Sequence, residues 1–253
     1  AAAEGPPAEP LLRERAVAVL PFLRVGGMRL FATESSEWTE KALPRTRSLG
    51  KGLLTVYLAM TGTCALLYYL AGMSVFDAVN HAFATLATGG FSTRNLSVAG
   101  LKNPAAEWVI ALFMLIAGVN FALYYAALHG RLRTLWRDVE LRVYLAIVGV
   151  AALLIAIDIW GRYDSVHDTL RAAVFQTVAI TTTTGFASDN FDAYPVTSKV
   201  ILVTLMFIGG CAGSTAGGLK VSRIVVALKA AWIEVVQGFH PQGVIRLRLG
   251  SAV

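Results

Sequence analysis

The sequence is short of charge. Of its 253 residues only 15% are Asp, Glu, Lys or Arg, against about 25% in soluble domains. It has two cysteines, Cys64 and Cys211, both inside apolar runs, which argues against a disulfide framework. No secretory signal peptide is visible. No glycine-rich phosphate loop follows a strand pattern, and there is no pair of catalytic carboxylates and no nucleophile–base arrangement, so nothing points to an enzyme. The formal charge of +6 does not point to nucleic acid either, because the basic residues are not clustered with interleaved aromatics. They stand between apolar runs, where membrane proteins keep them. In place of charge there is hydrophobic material: 56% of the residues are apolar and the mean hydropathy is +0.61. That much apolar surface calls for a lipid bilayer.

The apolar runs are ordered. Residues 1–10 are Ala/Pro-rich, and 1–15 read as a disordered N-terminal segment. Residues 16–30 are apolar but shorter than the roughly 20 residues a span needs, and a basic stretch follows to residue 52. A first convincing span covers Leu53 to Ala71. Val75 to Ala87 is a shorter helical stretch holding Asp77, Asn80 and His81, ended by Gly89-Gly90. A second span covers Trp108 to Leu128. After a basic loop the order restarts: a span from Leu141 to Ile159, a short amphipathic helix from Asp168 to Thr181 ended by Gly185, and a span from Lys199 that is interrupted by glycines and resumes from Leu219 to Val236. The tail, 237–253, is basic and polar.

This order is an internal repeat: span, short re-entrant helix, glycine-ended turn, span. Gly90 and Gly185 are 95 residues apart, and the same offset places Phe91 on Phe186 and Ala78 on Ala173. The two units, 53–130 and 141–236, are parallel rather than inverted, since each contains two full spans. The Lys/Arg-rich segments 31–51 and 129–142 and the end of the chain share one side, which the positive-inside rule makes cytoplasmic. The fold class expected is therefore an all-α integral membrane protein of span–pore-helix–span units of potassium-channel type.

Non-helical backbone at membrane depth is tolerated only where protein buries it or water reaches it. A helix that enters, ends in Thr-x-Gly and leaves extended lines such a cavity, and its carbonyl oxygens can replace the hydration shell of a cation. Thr88-Gly89-Gly90-Phe91 and Thr182-Thr183-Thr184-Gly185-Phe186 are the candidate filter strands, with a cation expected at Thr88, Gly89, Thr183 and Thr184 and threonine hydroxyls as added ligands. Neutral oxygen ligands suit a weakly hydrated monovalent cation rather than a transition metal. Either turn alone reads equally well as loop punctuation; their repetition in one context favours the pore. A third feature is the run Gly209, Gly210, Cys211, Gly213, Ser214, Thr215, Gly217, Gly218. So many glycines break a helix. A loop that gates the pore and a close helix contact through small residues are both open readings, and Lys220 and Arg223 read as interface anchors.

These residues resemble the Trk/Ktr/HKT superfamily of cation transporters, and within it the TrkH family of potassium uptake proteins. AVAVLPFLRVGGM (Ala16–Met28) looks like the end of the family's first repeat, FATLATGGFST (Phe83–Thr93) like its second filter, FQTVAITTTTGFAS (Phe175–Ser188) like its third, and FIGGCAGSTAGGLKVSR (Phe207–Arg223) like its intramembrane gating loop. The resemblance implies a K⁺-selective pore of four covalently linked repeats in the bacterial inner membrane. It also implies a homodimer and a cytosolic nucleotide-binding regulatory ring of the TrkA type. Potassium is then the transported substrate, with no covalent cofactor. This chain carries two complete repeats of the four, with 16–52 as the end of a truncated first repeat plus a cytoplasmic loop. A fragment of a longer product or a half-transporter is expected, and the alternative reading is a non-conducting or regulatory membrane protein.

Of the remaining polar residues, Asp77 and His81 share a helix face but are too few for a metal site, so hydrogen-bonding roles are expected. Asn120 is read inside a span, bonding a neighbouring helix or touching the permeation path. Asp158 is read as solvated at the outer boundary, and Trp108 and Trp160 as interface anchors.

Overall fold

The computed structural model describes residues 46–239, and these form an all-α arrangement. The expected disordered segment 1–15, residues 16–45 and the tail beyond 239 lie outside the described residues. Helix α1 is Thr46–Leu70, α2 Val75–Leu86, α3 Pro104–Ala117, α4 Phe121–Leu128, α5 Leu132–Arg137, α6 Val139–Asp158, α7 Val166–Thr181, α8 Val196–Phe207 and α9 Val221–Phe239. Helices α1, α2 and α3 pack on one another, as do α6, α7 and α8, and α3 against α7 joins the two groups. Two helical stretches, Gly50–Leu70 and Val139–Asp158, are long and apolar enough to cross a membrane. Both keep leucines such as Leu58 and Leu153 exposed.

The two short helices start the same way. Ser74 accepts from the Asp77 amide at 3.1 Å and donates to Asp77 Oδ2 at 2.9 Å. Ser165 does the same with Asp168, at 3.0 and 2.6 Å. Each serine is an N-cap that takes the N3 amide and gives its hydroxyl proton to the N3 carboxylate, a pattern written in the sequence as Ser-x-x-Asp just before each amphipathic run. Asp77 is buried and also takes hydrogen bonds from Thr93 Oγ1 at 2.5 Å and from Arg94 at 2.6 Å. These donors, Thr93 first, hold its carboxyl down at about 2. His81 Nδ1 meets the Asp77 carbonyl at 2.8 Å and Nε2 meets Ser92 Oγ at 3.0 Å, so both residues serve the hydrogen-bonding roles expected of them.

The span read from Trp108 to Leu128 is not one helix. It breaks at Gly118-Val119-Asn120, and α3 and α4 meet at 92°. Asn120 is the cap of α4, accepting from the Ala122 amide at 2.9 Å, which defines its role at the break. The freed backbone groups find partners elsewhere, as apolar surroundings require: Tyr144 Oη donates to Leu115 O at 3.2 Å and Tyr124 Oη to Ile116 O at 2.8 Å. A second correction concerns Asp158. It is half-exposed rather than freely solvated, and its Oδ2 accepts from the Ser198 amide at 2.9 Å and the Ser198 hydroxyl at 2.6 Å. Helix α8 has no side-chain cap of its own, so α6 supplies one.

Two outcomes follow from these caps. Asp158→Ala leaves the buried Ser198 donors unpaired and should lower stability by about 1–2 kcal/mol, the usual worth of a lost cap, read as a lower thermal midpoint of the purified protein in detergent. Asp77→Asn should also lower that midpoint. Because the folded carboxyl titrates below its ordinary 3.8, its contribution is complete above that value and lost as pH falls toward about 2. The gap between wild type and variant should therefore close over that interval, and a gap that stays constant would show that the Asp77 charge stabilises nothing.

Candidate functional site

Helices α2 and α7 end in turns of the same conformation. Thr88 and Gly90 have φ of 50° and 66°, and Thr183 and Gly185, each 95 residues further on, have 55° and 77°. A β-branched residue at positive φ is a genuine outlier, costing about 1–2 kcal/mol. Here both are held by their hydroxyls. Thr88 Oγ1 lies 2.8 Å from Thr215 O and 2.8 Å from Ala87 O, while Thr183 Oγ1 accepts from the Gly217 amide at 2.7 Å. Thr182 and Thr184 share a hydroxyl–hydroxyl bond of 2.7 Å, and Thr182 Oγ1 also reaches Val178 O at 2.7 Å. The threonine hydroxyls, expected as extra cation ligands, are thus engaged with the protein. Among the described residues no hydrogen bond uses the carbonyl oxygens of Thr88, Gly89, Thr183 or Thr184.

The turns also meet each other. A Cβ on Gly90 would lie 1.9 Å from Thr184 O, so glycine is the residue that lets the second turn approach the first. Phe186 is buried and stacks on His81 with ring centroids 5.8 Å apart. Beyond the turns, Ala99 N donates to Ala187 O at 3.0 Å and Ala187 N to Ser97 Oγ at 3.2 Å. His81 has a counterpart that the sequence reading overlooked. Gln176, at the same 95-residue offset, presents its side-chain amide to the Ser188–Asp189 backbone, and in the orientation that satisfies both partners its oxygen lies 3.3 Å from each of the two amides. Each helix therefore braces its own outgoing strand with a buried side chain, and the offset alone would have found the second one.

The symmetry of the turns stops at their outer flanks. Phe91, the counterpart of Phe186, is 81% exposed against 2%. The direction a Cβ would take from Gly185 meets nothing within 4 Å.

The glycine-rich segment packs against both turns and the α3–α4 break. Its neck is pinched shut: Gly209 N donates to Leu219 O at 2.8 Å and Leu219 N to Phe207 O at 3.1 Å, around an isolated parallel bridge between Ile208 and Leu219. A Cβ on Gly209 would lie 1.9 Å from Gly217 O. The body of the loop meets the broken helix pair through Cys211 N to Gly118 O at 2.8 Å, Phe121 N to Gly213 O at 3.1 Å, and Thr215 Oγ1 to Ala117 O at 3.2 Å. Ser214 Oγ closes a local turn on Cys211 O at 2.6 Å. Gly210 sits with its would-be Cβ 2.7 Å from Gly118 O, and Gly218 has φ 71°. Lys220, read as an interface anchor, is buried and bonds Ala216 O at 2.6 Å. Glu140, which sequence reasoning did not single out, accepts at one oxygen from Ala212 N at 2.8 Å and Ser222 N at 2.9 Å. In the sequence it looks like an ordinary acid in a helix's first turn. Cys64 and Cys211 are both buried free thiols.

Comparison with known proteins matches this architecture. The family model described as TrkH, cation transport protein, matches residues 15–252. The Trk system potassium uptake protein TrkH of Salmonella typhimurium is 41% identical over 241 residues, covering 93% of this chain and 50% of that protein. TrkH of Escherichia coli K12 is 40% identical over the same shares. The crystal structure of the potassium transporter TrkH from Vibrio parahaemolyticus superposes with a TM-score of 0.78 at 36% identity, covering 94% of this chain and 49% of that one. The chain spans about half the length of the curated relatives it matches. A glycine-rich loop packed under two equivalent Thr-Gly turns, and a family match over nearly the whole sequence, lead to one conclusion: the chain belongs to the TrkH family of cation transport proteins.

Proposed function

We propose that this chain is part of a potassium uptake protein of the membrane, multi-pass in the bacterial inner membrane, and supplies two quarters of its pore. The observation that carries the reading is the pair of turns. They share one unusual backbone conformation at a 95-residue offset, and they present carbonyls at Thr88, Gly89, Thr183 and Thr184 that no described donor uses. Neutral carbonyl oxygens can replace the hydration shell of a K⁺ ion. In this reading α2 and α7 are pore helices, the units 53–130 and 141–236 are parallel repeats, and the filter comprises Thr88, Gly89, Gly90, Phe91 and Thr182 to Phe186. Gly209 to Gly218 is the gate. Thr215 and Gly217 hold it against both turns, which is where a segment must lie to obstruct the path below a filter.

The outer flanks support two further quarters. Phe186 of one turn seats on the helix of the preceding turn, so the exposed Phe91 calls for a preceding helix of the same kind. Thr184 O packs on Gly90, so the open approach to Gly185 calls for a following turn. Relatives twice as long as this chain are consistent with both. The family resemblance adds a second copy of the protein and a cytosolic nucleotide-binding ring of the TrkA type as partners.

The filter is tested in a bacterial strain lacking its own K⁺ uptake. The full-length transporter should restore growth at low K⁺. Gly90→Ser should cut K⁺ uptake by about tenfold or more, since strain alone costs about 1–2 kcal/mol and about 1.4 kcal/mol is tenfold. Gly185→Ser should do the same once a following turn is present. Unaltered rate and unaltered K⁺ over Na⁺ preference in both variants would remove the filter assignment. Deleting part of Gly209–Gly218 should raise K⁺ leak from loaded proteoliposomes; an unchanged leak would reduce that segment to helix packing.

A further inference from the structure

The glycine-rich loop has a fastening that neither its own sequence nor the turns supply. Ala212, in the loop's first limb, and Ser222, in the helix that follows it, are ten residues apart, yet both amides point at the same atom, Glu140 Oε1, at 2.8 and 2.9 Å. Ser222 is the second residue of α9, and its N–H is one of the donors that a helix leaves unpaired at its start. No residue of the loop takes it. Glu140 caps α9 from another helix and, with the same oxygen, takes the first part of the loop. Hydrogen bonds to a carboxylate are among the strong ones. The position of the acceptor is fixed in turn, because Asp138 caps α6, its carboxylate accepting from Leu141 N at 2.7 Å.

We infer that Glu140 is a positioning residue for the gate: its carboxylate ties the loop's first limb and the start of α9 to α6 and holds the loop against the turns in the non-conducting state. The inference rests on the reading of that loop as a gate. Among the described residues the loop's other attachments run to the α3–α4 break, to the turns and across its own neck. The loop's first limb also meets the start of α9 directly, through Val221 N to Gly210 O at 3.2 Å; what Glu140 adds is a tie of both to α6. Opening that displaces the loop relative to α6 must break at least one of its two bonds, and movement of α9 relative to α6 pulls on the same oxygen. The fastening is a matter of reach. A glutamine at 140 keeps an oxygen at the same distance, whereas an aspartate keeps the charge but withdraws it by one methylene.

The test uses the full-length transporter with Cys211 as its only remaining thiol. Cys211 is buried in the loop, so its reaction with a small maleimide reports loop release, and K⁺ efflux from proteoliposomes is measured beside it. Glu140→Ala and Glu140→Asp should each raise the Cys211 labelling rate by about tenfold, equivalent to about 1.4 kcal/mol, and should raise efflux with it. Glu140→Gln should stay near wild type in both. Should the alanine variant fail to fold, the aspartate and glutamine variants carry the comparison. Labelling that does not rise in the aspartate variant, or rises equally in the glutamine variant, overturns the assignment. Loop deletion in the same assay separates the two readings. If deletion raises efflux and the Glu140 variants do not, the gate stands and the fastening falls. If labelling rises in Glu140→Asp while neither variant nor deletion changes efflux, the fastening stands as geometry and the gate falls.

Discussion

Interrupting a helix where no water is at hand frees backbone N–H and C=O groups that must find partners within the protein. This chain interrupts its helices in several places: at the ends of α2 and α7, between α3 and α4, and between α8 and α9. The structure is organised around the way these interruptions satisfy one another. The carbonyls of Ala117 and Gly118 are taken by Thr215 and Cys211, the Gly213 carbonyl by Phe121, and the Gly217 amide by Thr183. A break in one element is thereby the partner of a break in another. The carbonyls of Thr88, Gly89, Thr183 and Thr184 stand outside this exchange.

The same constraint explains the strained threonines. A left-handed threonine is disfavoured by its own Cβ, and strain of this kind persists only where the surroundings over-determine it. At Thr88 and Thr183 the surroundings are the glycine-rich segment, through Thr215 and Gly217. Turn and loop are therefore one mechanical unit. The glycines serve the close approaches, most visibly at Gly90 against Thr184 O and Gly209 against Gly217 O.

Much of this was legible in the sequence. The helices at Val75–Ala87, Leu141–Ile159 and Asp168–Thr181 are legible to within a few residues of their ends because apolar runs are local signals, whereas the span read from Leu53 starts at Thr46, in a more polar stretch. The offset of 95 residues pairs the two turns from the sequence alone. Three features were not legible for the same physical reason, that their partners are remote in sequence. The break at Gly118 lies in an unbroken apolar run, and its carbonyl is satisfied by Cys211. Asp158 looks like a boundary acid until α8 is seen to lack a cap. Glu140 looks like a first-turn acid until the loop folds back on it. Asn120 was noticed, but as a polar residue within a span rather than as the start of a new helix.

The right-angle corner at Gly118 has a mechanical consequence. Helix α4 runs for eight residues, about 12 Å at 1.5 Å per residue, at 92° to α3. Motion along the axis of α4 is therefore motion across the axis of α3, and the pivot is the stretch whose carbonyls hold Cys211 and Thr215. A displacement along α4 thus bears on Ala117 and Gly118, the residues to which the loop is fastened.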